Sequence, residues 1–189
     1  MDRVTFSISS FAILGVLLAL VGTGGLPSDN RQGLSWTNQI TVEKNGDKVD
    51  TIYNELTDQG KVYIAGKLFG NASSNANFTA KNFTYISVGD GSTVAAGDTR
   101  LDDEYTNYNL SRSQAASVTS SAIGTYTLQK QFVVDLSSGP SELTVNTTGL
   151  NYDSSGDTLI SGGNFTEATL TDGDKLTVSH EVTISGSGS

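Results

Sequence analysis

The segment KLTVSHEVTIS, residues 175–185, has the clearest structural pattern in the chain. Apolar residues and one histidine occupy every second position and alternate with Thr, Ser, Glu and Thr. The first set is Leu176, Val178, His180, Val182 and Ile184. Because successive side chains of a strand point to opposite faces of a sheet, this alternation predicts a β-strand with one face in a hydrophobic core.

Further strands are predicted in both directions along the chain. They are LSWTNQITVE (34–43), KVYIAGKLFG (61–70), KNFTYISVG (81–89), TYTLQKQFVVDL (125–136), SELTVNTTGL (141–150) and TLISGGNFT (158–166). Turn sequences such as KNGD (44–47) and TDGD (171–174) separate several of them. Residues 89–115 form a long polar connection, in which we expect four apolar side chains to act as anchors: Val94, Leu101, Tyr105 and Leu110.

One segment has a helical spacing instead. Val49, Ile52, Tyr53 and Leu56 recur at i, i+3, i+4 and i+7, which predicts a short amphipathic helix that ends near Gly60. About eight strands and one short helix together predict an all-β fold, an antiparallel β-sandwich or jelly roll.

The N-terminal region differs in composition from the rest of the chain. No charged residue occurs from Val4 to Ser28, and Phe11–Val21 is strongly apolar. A cleaved secretory signal, an uncleaved anchor in contact with the membrane and a hydrophobic helix buried in a filament axis all fit this composition. Each of the three places the remaining residues outside the cytoplasm, at the cell surface or in the extracellular space. We therefore expect a signal peptide or hydrophobic helix at 1–28, a linker at 29–33, a β-sandwich domain at 34–185 and a flexible tail at 186–189.

Charge and composition narrow the function classes. The formal net charge is −9 and the pI is about 4.4, which argues against nucleic acid as a partner because phosphate binding needs basic patches. The chain has no cysteine, so disulfides, thiolate nucleophiles and cysteine metal sites are excluded. In an exported chain, Asn-x-Ser/Thr triplets are acceptors for N-linked glycans. Six occur, at Asn71, Asn77, Asn82, Asn109, Asn146 and Asn164.

The residues that could carry chemistry are few. His180 is the only histidine, and its place on the apolar face of a strand predicts a core residue rather than a general base or a zinc ligand. Carboxylates on loops suit Ca²⁺, and the candidates are Asp98, Asp102, Asp103, Asp153 and Asp157. None has EF-hand spacing, and Asp also favours ordinary turns. We therefore expect no catalytic residues, no enzyme activity and no cofactor, with a structural Ca²⁺ as the alternative.

Residues 83–184 resemble small β-rich tail-appendage modules of phages and prophages. In such modules a strand ending in Gly-x-Gly precedes a small-residue loop and then Asp-Thr-x-Leu with an acidic residue. The matching positions here are Gly89, Gly91, Asp98, Thr99, Leu101 and Asp103 or Glu104. The stretch TVNTTGLNYDSSGDTLISGGNFTEATLTDGDKLTVSHEVTIS (144–185) resembles the closing half of these modules. The resemblance implies a structural, non-catalytic role.

The N-terminal segment and the glycan acceptors differ from that pattern. In overall character they resemble the secreted, glycosylated filament subunits of archaea, the pilins and thread-like fibres. This resemblance implies a structural subunit of an extracellular filament that binds copies of itself and acts in surface attachment. Strand donation is the mechanism we expect, either by the closing strand or by residues 34–43, with Leu34, Trp36, Ile40 and Val42 as the donated apolar residues. A virion or phage-tail-like protein and a secreted carbohydrate- or Ca²⁺-binding module are the alternatives.

Overall fold

The structure, a computed structural model, describes residues 34–69 and 82–186. The predicted N-terminal signal or anchor, the linker, the tail beyond 186 and two of the glycan acceptors, Asn71 and Asn77, lie outside these residues. The described part is an antiparallel β-sandwich with one helix, which confirms the predicted fold class.

Ten strands form two five-stranded antiparallel sheets in this part of the chain. Sheet A has the order β2 (Asp47–Tyr53), β1 (Leu34–Lys44), β10 (Lys175–Gly186), β7 (Thr125–Val133) and β6 (Ser117–Ala122). Sheet B has the order β3 (Glu55–Leu56), β9 (Leu159–Thr171), β8 (Glu142–Asn151), β4 (Tyr85–Gly89) and β5 (Ser113–Gln114). The helix, α1 (Asp58–Phe69), follows β3.

The core lies between the inner faces of the two sheets. Alternate residues of β10 are fully or nearly fully buried up to Val182, as its sequence pattern predicts, whereas Ile184 is 41% exposed. The predicted anchors Val94, Leu101 and Leu110 of the long connection are also buried, and Tyr105 packs against the core. The connection therefore covers one side of the sandwich.

The structure corrects the predicted helix and one predicted strand. Val49, Ile52 and Tyr53 belong to strand β2, where Ile52 pairs with Ile40 of β1. The helix begins nine residues after Val49, at Asp58, and continues to Phe69, so it covers most of the segment 61–70, for which the sequence predicts a strand. Its start is fixed by Thr57, whose hydroxyl oxygen accepts a hydrogen bond from the Gly60 amide at 3.0 Å.

The helix packs against sheet B through a glycine. A Cβ on Gly60 would collide with the carbonyl oxygen of Ile160 in β9 and lie 2.9 Å from Leu56 Cδ1. We expect Gly60→Ala to destabilise the domain by about 1–3 kcal/mol, because the helix must move away from the sheet. Gly66→Ala in the same helix meets nothing within 4 Å and should stabilise it by about 0.5–1 kcal/mol. Urea unfolding of both variants checks this, and a stabilised Gly60→Ala would contradict it.

Candidate functional site

Three of the predicted Ca²⁺ ligands, Asp98, Asp102 and Asp153, accept hydrogen bonds from residues of their own loops. Asp98 accepts a hydrogen bond from the Ala95 amide at 2.7 Å, and Asp153 accepts one from the Ser154 amide at 2.7 Å. Asp102 accepts from Ser92. The backbone of Asp103 is left-handed, and the backbone carbonyl oxygen of Asp157 accepts a hydrogen bond from Gln59 Nε2 at 2.7 Å. Within the described residues, no group of three or more His, Cys, Asp or Glu side chains is placed to hold a metal ion.

A buried ion pair joins the loops on this side of the sandwich. Nε and Nη2 of Arg112 donate to the two carboxylate oxygens of Glu104 at 2.8 and 2.6 Å, and both side chains are largely buried. Nη1 of Arg112 donates to Thr158 Oγ1 at 2.6 Å and to the Gly156 carbonyl oxygen at 3.0 Å. The pair lines a cavity of about 670 Å³ together with Asp102 and Ser residues of the neighbouring loops.

Each nitrogen of the Arg112 guanidinium donates to another part of the chain. Arg112 therefore ties together the loops that contain Glu104, Gly156 and Thr158. Arg112 belongs to no recognisable motif in the sequence. Its one distinctive feature there is that it is the last charged residue before seventeen uncharged ones.

His180 lies in a polar cluster between the two sheets. The ring is fully buried; its Nδ1 accepts a hydrogen bond from Asn38 Nδ2 at 3.1 Å, and its Nε2 lies 3.4 Å from Thr148 Oγ1. Asn38 also donates to Ser161 Oγ of sheet B at 3.1 Å, and Thr148 Oγ1 donates to the Ser87 carbonyl oxygen at 2.8 Å. The neutral ring therefore carries its proton on Nε2.

Burial lowers the pKa of His180 to about 3, so the ring is uncharged at neutral pH. Both ring partners that the structure describes, Asn38 and Thr148, are neutral, and the ring has no contact with solvent. These surroundings fit the predicted core histidine and do not fit a general base that must reach a substrate.

The folded state should lose stability in mild acid because of His180. The unfolded chain binds a proton near the ordinary histidine pKa of 6.5, and the folded chain binds it only near 3, so stability falls as the pH drops through this window. We expect the free energy of unfolding to be about 2 kcal/mol lower at pH 5 than at pH 7. Urea titrations at both values check this.

His180→Gln is the matched control, because glutamine keeps polar atoms at the site without titrating. Its free energy of unfolding should change little between pH 7 and pH 5. Asp50 and Asp174 do not contribute to the difference in stability between pH 7 and pH 5. Hydrogen bonds lower their pKa values from 3.8, so protonation of these carboxylates reduces stability only at a lower pH. An equal acid loss in the Gln variant would contradict the assignment to His180.

The strand expected to be donated lies inside its own chain's sheet. β1 pairs with β10 on one side and with β2 on the other, and Ile40 and Val42 are fully buried in the core. Trp36 is partly buried, and the backbone of Leu34 faces Gly186. The closing strand β10 is also central, between β1 and β7. β1 is paired on both sides from Gln39 to Lys44, and β10 is paired on both sides from Leu176 to Thr183, so donation of either strand would require these pairings to be replaced.

An apolar groove lies at the end of the sandwich where β1 begins. The strand register shows which side chains share the inner face of sheet A with the buried core residues. They include Trp36, Ile184, Tyr126 and Val118. Sheet B does not cover them; across from them is the segment before β4, whose Phe83 makes an edge-to-face contact with Trp36 at 6.2 Å. Val118 and Tyr126 are therefore 54% and 53% exposed. These residues line a groove with a volume of about 400 Å³, which we call the overhang groove. Its lining residues include Trp36, Phe83, Val118, Tyr126, Val182 and Ile184.

No protein-family model matches the chain, and no curated protein matches it. A membrane-crossing helix, judged by length and apolar content, is not found among residues 34–69 and 82–186.

Proposed function

We propose that the chain is a structural subunit of an extracellular, glycosylated filament, in which copies join by pairing of sheet edges. The observation that supports this is the composition of β6, the outermost strand of sheet A. Natural sheets protect such edges with charged residues or proline, because open backbone groups pair with other chains. From Ser113 to Gln129 the chain contains neither, and β6 lies wholly within this stretch.

The edge of sheet A formed by β6 is accessible for pairing with a strand of another copy. The side chains of Ser117, Val118, Thr119 and Ser120 are all exposed, and the pairing with β7 is regular up to Ser120, where a bulge begins. The opposite edge of sheet A, β2, carries Asp47, Lys48 and Asp50 and is protected by charge. Strand pairing is therefore proposed through β6, in place of donation by residues 34–43.

Electron microscopy of the native protein from the cell surface tests the proposal. We expect fibres, and we expect Thr119→Lys, which places a charge on the open edge, to abolish them without lowering the melting temperature. Thr127→Lys is the matched control, because Thr127 is the cross-strand partner of Thr119 in the central strand β7. Fibres of normal length from Thr119→Lys would refute pairing through β6, and a native protein found only as single molecules would refute the filament role. Unglycosylated protein in virus particles would instead favour the tail-appendage alternative.

Glycans are expected on only some of the acceptors. Asn82 and Asn109 are exposed, whereas both amide atoms of Asn164 are engaged, with Oδ1 accepting from the Val94 amide at 2.8 Å and Nδ2 donating to the Ser92 carbonyl oxygen at 3.2 Å. The side-chain oxygen of Asn146 is buried in β8. We expect peptide mass spectrometry of native protein to find glycan at Asn82 and Asn109 and none at Asn146 or Asn164. Full occupancy of Asn164 would show that glycans are attached before this hydrogen-bonded structure forms.

A further inference from the structure

We propose that the β6 edge of sheet A pairs with the β6 edge of a second copy, so that two subunits form a two-fold symmetric dimer with one continuous sheet. This inference rests on the pairing through β6 proposed above and names its partner. Within the described residues, β6 is paired with β7 on one side and with no strand on the other. The unpaired N–H and C=O groups of such an edge bond to another extended strand.

A second copy offers four edge strands within the described residues, and three of them are unsuited to this pairing. β3 and β5 have two residues each, too few for a ladder. β2 carries Asp47, Lys48 and Asp50. The Asp50 carboxylate also accepts hydrogen bonds from the Thr166 amide at 2.8 Å and the Thr166 hydroxyl at 2.9 Å, which hold β9 beside β2. The strand of the second copy that fits the β6 edge is therefore β6 itself.

The composition of β6 suits pairing with itself. When an edge pairs with its own copy, a charged residue near the symmetry axis faces a like charge, which destabilises the ladder. No charged residue occurs from Ser113 to Gln129, so this repulsion is absent. A two-fold axis perpendicular to the sheet makes the two strands antiparallel and keeps both inner faces on the same side.

One register gives the best pairs of side chains. Val118 is 54% exposed and lies opposite Leu128 of β7 on the inner face, whereas Ser117 and Thr119 point to the outer face. With the axis at Val118, the two Val118 side chains meet on the inner face. On the outer face, each Thr119 then meets Ser117 of the other copy. Each such pair stabilises an antiparallel ladder by about 0.2–1 kcal/mol.

A two-fold contact is closed, so it joins two subunits and no more. A filament of these subunits therefore has the dimer as its repeating unit and needs a second contact between dimers. The proposed ladder involves residues 116–120 of each copy, far fewer than the roughly 20–30 residues a side of a standard interface. The dimer therefore dissociates in dilute solution, and covalent trapping is the suitable test.

Disulfide trapping of single-cysteine variants tests the pairing, because the chain has no cysteine of its own. Val118→Cys places a thiol at the axis, and oxidation of the full-length chain should give a covalent dimer. Thr127→Cys is the matched control and should stay largely monomeric, because it lies on β7, which is already paired on both sides. Non-reducing electrophoresis measures the dimer fraction, and circular dichroism checks that both variants are folded.

Mixtures of two variants test the register. Ser117→Cys chains mixed with Thr119→Cys chains should give mixed disulfide dimers, which mass spectrometry identifies. Each of these variants alone should give far fewer dimers, because only the mixed pair places the two thiols directly opposite each other. Equal yields from the mixture and from each variant alone would contradict this register.

Two outcomes would overturn the two-fold pairing. One is a dimer fraction of Val118→Cys no greater than that of Thr127→Cys. The other is preferred cross-linking of Val118→Cys chains to Tyr53→Cys chains, because Tyr53 lies on the β2 edge and the contact would then be head-to-tail. Fibres with this head-to-tail cross-link would support the filament role and refute the dimer. Trapped dimers of a native protein that forms no fibres would support the dimer and refute the filament role.

Discussion

Deletion of residues 34–44 from the full-length chain is expected to abolish the cooperative unfolding transition. These residues form β1, which is hydrogen-bonded along its length to β10 and over half its length to β2. Ile40 and Val42 contribute fully buried side chains, and Asn38 holds the His180 ring. A sheet that loses a central strand leaves the backbone groups of both neighbouring strands unpaired and exposes the core to water. The resulting loss of folding free energy exceeds the whole free energy of unfolding of a typical domain.

Circular dichroism during heating measures the effect. The deleted chain should show no sigmoidal melt, and Ile40→Ala in the intact chain should lower the free energy of unfolding by about 2–5 kcal/mol. Gln39→Ala is the matched control: its side chain points to the outer face, and the expected change is within about 0.5 kcal/mol. A deleted chain that melts like the parent would mean that β1 is dispensable, as donation to a neighbour requires.

Peptide complementation separates the two roles of this strand. A synthetic peptide of residues 34–44 should restore the melt of the deleted chain, because the vacated position between β2 and β10 has a defined register. The same peptide with Ile40→Asp should not, because it would bury a carboxylate in the core.

The sequence predicts this fold well where one face of a strand is buried. β10 alternates without interruption, and its pattern identified both its secondary structure and its buried residues. Its end was less predictable: Ile184 continues the apolar row but is partly exposed, because the extent of the facing sheet decides its burial. That extent depends on contacts between distant parts of the chain.

The helix shows where periodicity fails. The residues from Val49 to Leu56 satisfy a helical spacing, yet Ile52 pairs with a core residue of β1, and tertiary pairing decides the conformation. Among the helix side chains whose burial the structure describes, residues 58–66, the large side chain of Tyr63 is completely buried, and the helix sequence has little apolar periodicity. Thr57 followed by Asp58 was the available signal, since threonine is a favoured N-cap and an acidic residue suits the first turn. Gly60 obscures this signal, because glycine in this position is typical of the end of a helix.

The second large effect is expected at the buried ion pair. Arg112→Met should lower the free energy of unfolding by about 3–5 kcal/mol, because it leaves the Glu104 carboxylate buried without its partner. It also removes the hydrogen bonds to Gly156 and Thr158, which tie the loop before β9 to the connection after β4. Urea unfolding at pH 7 measures the loss.

A second ion pair in the same chain is the matched control. Lys61 and Asp58 lie 2.8 Å apart on the helix surface, where the aspartate side chain is 71% exposed. Lys61→Met should therefore cost less than about 1 kcal/mol, because water solvates the carboxylate that remains. A similar loss in both variants would show that burial does not strengthen the dependence of Glu104 on Arg112.

The double variant Glu104→Leu with Arg112→Met distinguishes two causes of the stability loss. One is the loss of the ion-pair interaction, and the other is the cost of an unpaired buried carboxylate. If most of the single-variant loss comes from an unpaired buried carboxylate, removing that carboxylate should recover a large part of the stability. The recovery should be incomplete, because Gly156 and Thr158 still lose their donor. A double variant as unstable as Arg112→Met alone would mean that the guanidinium acts mainly through these loop contacts, and the ion pair would then be secondary to its role as a clamp.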